Sequence, residues 1–158
     1  MIPWIHLDTA TVPGGGGALK LMRRGDEFAI VAGGGTLMNS RASGSEEALA
    51  TLTCDRLKGR RNCSLLIGGY GMGFTLRAVL GAVGPDADIV VSEIVPEIID
   101  WARGPMAHFT ASCLADPRVT LRIGDVAREI EEGGYDAILL DVDNGPDGLS
   151  RDLNDGLY

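Results

Sequence analysis

The sequence predicts an α/β protein in which a parallel sheet wrapped by helices follows a small antiparallel β-meander. Three observations predict it. From residue 63 onward, short apolar runs alternate with helix-period stripes, the rhythm of strand–helix–strand units with parallel pairing and right-handed crossovers. Residues 18–39 instead carry strand-like runs parted by polar and glycine turns. Glycine supplies 23 of the 158 residues, and many fall in short tracts at those joints, as tight connections do.

Taken in order, residues 1–17 read as an irregular arm ending in the glycine tract 14–17. Strands are expected at 18–22, 27–32 and 36–39, separated by the polar turn 23–26 and the tract Gly33-Gly34-Gly35. That second tract reads as a hairpin turn, because no helix opens directly behind it to offer N–H groups to a phosphate. Ser43-Gly44-Ser45-Glu46 has the form of a capping box with Ser43 as N-cap, so a helix should run from there to about Leu57. Arg56, Lys58, Arg60 and Arg61 near its end suit the negative pole of the helix dipole. The expected division is an arm and meander at 1–42 and a larger domain at 43–158.

In the larger domain, 64–67 is a strand entering Gly68-Gly69-Tyr70-Gly71-Met72-Gly73. Leu76, Val79, Leu80 and Val83 then mark one face of a helix over 74–83. A strand at 88–92 precedes a helix that Pro96 opens and that runs to Ala102. A third strand covers 119–123, Asp125 stands as N-cap of a helix over 126–132, and a fourth strand at 135–140 ends at Asp141. Because the chain stops soon afterwards, the parallel sheet is expected to be incomplete at its C-terminus: a partner chain covers its last edge or, the favoured expectation, the sequence is a fragment of a larger domain.

Composition bounds the function. Hydrophobic residues at 45% and charged residues at 23% are ordinary for a soluble globular protein. A net charge of −8 repels phosphate backbones, so nucleic acid is not an expected partner. No run approaches the roughly 18 apolar residues of a membrane span, and residues 1–10 lack a secretory pattern. Cys54, Cys63 and Cys113 are odd in number and widely spaced, which argues against a disulfide framework and fits a reducing cytoplasm. His6 and His108 have no partners at metal-ligand spacing, so no metal is expected.

The chemistry concentrates at the ends of the four later strands. Gly69-x-Gly71-x-Gly73 lies between a strand and a helix, where glycine lets the backbone approach a ligand and helix N–H groups face it. A tight strand-to-helix turn would show the same pattern. Glu93 lies 20 residues past Gly73, at the end of the next strand, where a carboxylate accepts from both ribose hydroxyls; the plainer reading is a loop acid. After Gly124, Asp125 is placed to receive an adenine amine, or simply to cap its helix. Asp141-Val142-Asp143 is an acidic tip facing the crevice of an open sheet, or a turn rich in Asp, Asn and Gly. This arrangement predicts a Rossmann-like nucleoside-binding half-domain.

Together these segments resemble the spermidine synthase (polyamine aminopropyltransferase) family, within the class I methyltransferase fold. The resemblance runs from about Leu19 to Tyr158. It is carried by Leu66-Ile67-Gly68-Gly69 with Thr75-Leu76-Arg77, by Ser92-Glu93-Ile94-Val95-Pro96-Glu97-Ile98, by Asp116-Pro117-Arg118-Val119, by Ile123-Gly124-Asp125 and by Tyr135-Asp136-Ala137-Ile138-Leu139-Leu140-Asp141. It implies that the glycine loop (Gly68, Gly69, Gly71, Gly73) and Glu93 bind the donor nucleoside. Gly124-Asp125 would contact the adenine side, and Asp141, with Asp143 adjacent, would serve an attacking amine. The implied donor is decarboxylated S-adenosylmethionine or S-adenosylmethionine, the partner a small amine, and the meander a dimerisation element of a homodimer. The chain departs from the family where Met72 stands near the place of a loop aspartate, where Leu49-Ala50-Thr51 replaces Tyr-His-Glu, and where Asn144-Gly145 replaces Asp-Pro. A methyltransferase using the intact donor and a non-catalytic nucleoside-binding or dimerisation module are the alternative expectations.

Overall fold

The computed structural model describes residues 1–142, which form two compact units, Met1–Ser43 and Gly44–Asp141. The first is a four-stranded antiparallel sheet in the order β1-β2-β3-β4, with β1 at Ile5–Thr11, β2 at Ala18–Arg24, β3 at Glu27–Ala32 and β4 at Gly35–Asn39. Gly25 and Asp26 link β2 to β3, and Gly33 and Gly34, both at positive φ, link β3 to β4. Two-residue hairpin loops demand that backbone, which is why glycine sits there. Leu19, Leu21, Phe28 and Ile30 are buried, and the Glu27 carboxylate accepts from Asn39 Nδ2 at 2.7 Å and Arg24 Nη2 at 2.8 Å.

The expected irregular arm is corrected here. Residues 5–11 are a strand, paired with β2 and interrupted by a bulge between His6 and Asp8. Ile5-His6-Leu7-Asp8 does alternate apolar and polar, a period-2 signal. Its apolar side chains, Ile5 and Leu7, are exposed, so burial gives no hint of the strand.

The second unit begins with α1 (Gly44–Arg56), which starts directly after Ser43. Next come β5 (Ser64–Gly68), α2 (Phe74–Ala82), β6 (Asp88–Glu93) and α3 (Pro96–Arg103). The remainder is α4 (Ala107–Leu114), β7 (Val119–Ile123), α5 (Val126–Glu132) and β8 (Ala137–Leu140). Helix α4 was not expected. Met106, Phe109 and Cys113 do follow a helical spacing, but Gly104-Pro105 ahead of them and the lack of a side-chain N-cap obscure the start.

All pairings of this sheet are parallel, and its order is β7-β6-β5-β8. The second and third strands thus add to one side of β5 and the fourth to the other. The direction of winding reverses between β5 and β8, where open α/β sheets form a crevice at the strands' C-terminal ends. Leu65, Leu66, Ile67, Ile89, Val91 and Leu139 are almost wholly buried in it, as strands covered on both faces require.

Arg118 ties the end of α2 to the start of β7. Its guanidinium pairs with both Asp116 oxygens at 2.9 Å and donates to the carbonyls of Leu80, Val83 and Gly84 at 3.2–3.3 Å. A cation on the exposed carbonyls of a helix end offsets its negative pole. Arg118→Ala is therefore expected to lower stability by on the order of 1–2 kcal/mol, read as a lower urea midpoint. Arg118 also holds the Asp116 carboxyl down to about 2. A depressed acid contributes stability above its unfolded value near 4 and loses it as pH falls towards the folded one, so the variant's deficit should shrink over that window.

Candidate functional site

Sheet register brings the expected segments to one edge. The ladders pair Gly68 with Ser92 and with Leu140, and Glu93 with Ile123, so β5, β6, β7 and β8 end side by side. Each is followed by one more backbone hydrogen bond: Gly69 N to Ser92 O, Asp141 N to Gly68 O, and Gly124 N to Glu93 O, at 2.8–2.9 Å. The glycine loop, Glu93, Gly124-Asp125 and Asp141 therefore form a continuous rim. Asp143 lies outside the described residues.

The four loop glycines do different jobs. Gly69, Gly71 and Gly73 all have positive φ, at 87°, 58° and 78°. Gly68 is in the strand, where a Cβ would press within 2.9 Å of Val126 Cγ2 and 3.1 Å of Leu140 Cδ2. Its absent side chain thus serves packing against α5 and β8. At Gly73 a Cβ would collide with the Tyr70 hydroxyl and Thr110 Oγ1. Gly124 differs, because a Cβ there would meet nothing within 4 Å. Tyr70 and Met72, the loop's two large side chains, are each 1% exposed and point away from solvent. Met72 therefore brings no charge to the rim.

Glu93 is 4% exposed, and its oxygens accept from Tyr70 N at 2.8 Å and Val95 N at 2.9 Å. Burial pushes its carboxyl above the usual range, while those two N–H groups and those of Gly71 and Ile94 oppose the shift. The side chain thus organises the loop from beneath. A carboxylate offers about four lone-pair directions, and four backbone N–H groups meet them here, so Glu93 is committed to the backbone of the loop and of the turn after β6. Asp125 has its capping role realised, with Oδ1 accepting from Ala127 N at 2.9 Å.

Asp141 is braced by Thr75, which stands among the resembling segments but has no role of its own there. Thr75 Oγ1, on the first turn of α2, donates to Asp141 Oδ2 at 2.9 Å. Burial raises the Asp141 carboxyl above its ordinary value, the Thr75 hydrogen bond lowers it, and the Glu46 charge raises it further. Glu46, expected only as part of a capping box, is 9% exposed and accepts from Ser45 Oγ at 2.8 Å. Nothing in the sequence signals the Thr75–Asp141 contact, since 66 residues separate the two. Among the described residues no cluster of His, Cys, Asp and Glu could hold a metal, and no helix is long and apolar enough to cross a membrane.

The reversed strand order and the rim of glycines and acids define the class. The chain has a Rossmann-like, methyltransferase-type α/β fold preceded by a small antiparallel sheet. No protein-family model matches it, and no curated protein matches it by sequence. Among solved structures it is similar to a spermidine synthase in complex with the transition state analogue AdoDATO, with a TM-score of 0.72 and 20% identity over 90% of this chain and 48% of that one. A spermidine synthase from Thermotoga maritima gives 0.69 and 20%, over 86% of this chain and 47% of that one. A protein-L-isoaspartate O-methyltransferase gives 0.50 and 21%, over 71% and 32%. The chain spans about half the length of the two spermidine synthases.

Proposed function

We propose that this chain is a spermidine synthase-like transferase that holds decarboxylated S-adenosylmethionine and transfers its aminopropyl group to a small amine; with intact S-adenosylmethionine as donor, the group transferred would be methyl. One observation carries the reading: the glycine loop, Glu93, Gly124-Asp125 and Asp141 all stand at the same ends of adjacent parallel strands, the end at which the crevice of the winding reversal opens. The residues suit a nucleoside. Glu93 shapes the loop from beneath, next to the place a ribose would take, Asp125 offers a carboxylate for an adenine amine, and Gly124 borders open space where a flat base needs it.

The donor supplies a sulfonium carbon: the amine lone pair forms the C–N bond, the C–S pair returns to sulfur as methylthioadenosine leaves, and the amine's extra proton passes to solvent. The chain's task is to present an uncharged amine at that carbon. With ordinary values near 4 for aspartate and 10 for an alkylammonium, proton transfer to Asp141 is uphill by about 8 kcal/mol. Burial raises the Asp141 carboxyl and narrows this gap; the role assigned to the carboxylate is to orient the amine. Thr75 fixes one of its oxygens and leaves the other to the substrate.

The intact and decarboxylated donors, titrated side by side by calorimetry, test this. Tighter binding of the decarboxylated donor is expected, because Asp141 and the Glu46 charge acting on it repel a donor carboxylate and Met72 adds no cation to receive one. Tighter binding of the intact donor would replace aminopropyl with methyl transfer. Binding of neither would leave a scaffold module.

A further inference from the structure

We infer that Tyr70 and Thr110 are positioning residues for the glycine loop, joined in a buried hydroxyl relay that ends on the Met72 carbonyl and holds the loop in its nucleoside-binding shape. This rests on the reading of the loop as the nucleoside site. The relay is short at both links: Tyr70 Oη lies 2.6 Å from Thr110 Oγ1, which donates to Met72 O at 2.7 Å. A threonine hydroxyl has one proton. Since Thr110 spends it on Met72, the Tyr70 hydroxyl must be the donor at the other link. Burial pushes the Tyr70 phenol up, which keeps that proton in place at neutral pH.

Two features show that the relay is built in. Thr110 is the one buried residue of α4, so this helix seats a hydroxyl, not an apolar side chain, beneath the loop. Burying a hydroxyl is costly unless it is bonded, and here both of its roles are filled. The space for the relay is the space a Cβ on Gly73 would take. The loop needs such a brace. Three glycines at positive φ give it backbone freedom that ordering must overcome. Its other ties, Tyr70 N and Gly71 N to Glu93, Gly69 N to Ser92 O and Gly73 N to Tyr70 O, leave the Met72 carbonyl to Thr110.

The test uses the full chain with Thr110→Val, Thr110→Ser and Tyr70→Phe. It combines calorimetric titration with methylthioadenosine and hydrogen exchange at the amides of residues 69–73, both well below the melting temperature. Thr110→Val is expected to weaken nucleoside binding about tenfold and to speed loop exchange. Thr110→Ser should restore both, and Tyr70→Phe should fall between, because the Thr110–Met72 link survives. Unchanged affinity and exchange in Thr110→Val would overturn the inference, as would equal losses in Val and Ser, which would mark simple packing. If Thr110→Val does not fold, Tyr70→Phe decides by the same two readouts. A wild-type chain that binds no nucleoside would refute the site reading instead, and loop exchange alone would then decide whether the relay braces the loop.

Discussion

Asp141→Asn is expected to lower kcat/KM for amine transfer by at least about 100-fold while changing nucleoside affinity little, since a displaced reactant alone costs that much. Asparagine keeps the shape and the contact with Thr75 but loses the charge that holds an amine. The same substitution should raise stability at neutral pH. Burial lifts the Asp141 carboxyl above its unfolded value. A carboxylate shifted in that direction favours folding least when charged: the stability available below its unfolded value is lost as pH rises through the folded one. A neutral side chain escapes that cost, so activity falls while the melting temperature rises, the exchange seen where a site carries strain for function. Thr75→Val supplies the control. It removes the hydrogen bond that lowers the Asp141 carboxyl, so the acid limb of the pH–rate profile should move to higher pH. Unaltered turnover in Asp141→Asn would remove this residue from the reaction.

Gly73→Ala is the second large effect. Its φ of 78° is unfavourable for alanine, and the new methyl would meet Tyr70 and Thr110. The two penalties together come to about 2–5 kcal/mol, a large share of the 5–15 kcal/mol typical of a domain. Urea denaturation should show this loss with or without ligand, and nucleoside binding should disappear. Gly124→Ala makes the contrast. Its Cβ enters open space and its φ is not positive, so stability should hold within about 0.5 kcal/mol. A loss of nucleoside affinity there would trace to the ligand alone. Normal stability in Gly73→Ala would mean that the loop has another conformation of equal energy.

The sequence makes the scaffold legible where one local force decides. The strand at 27–32 lies between turns, the strand at 119–123 follows a Pro-Arg pair, and the helix at 126–132 has its Asp125 cap; all three appear with the expected bounds. The positions of Glu93, Asp125 and Asp141 at strand ends were legible for the same reason, since a strand's end is a local property. Contacts across the chain were not. Thr75 reaches Asp141 and Tyr70 reaches Thr110 only because parallel strands and crossover helices fold distant segments together. Capping also hid one acid: Glu46 reads as a helix-start residue, yet its charge acts on Asp141. Gly68, a nucleoside residue only by the resemblance, also has a packing role against Val126 and Leu140 that no local pattern signalled.

Gly73 ends the loop and Thr75, two residues later, holds Asp141 from the opening turn of α2. On the proposed reading, the cradle for one reactant and the anchor for the other belong to the same rigid turn. When that turn drifts against the sheet, both travel with it, and the gap between nucleophile and electrophile is preserved. Reaction distance is then set by local covalent geometry and one hydrogen bond, and it survives the breathing of the surrounding helices.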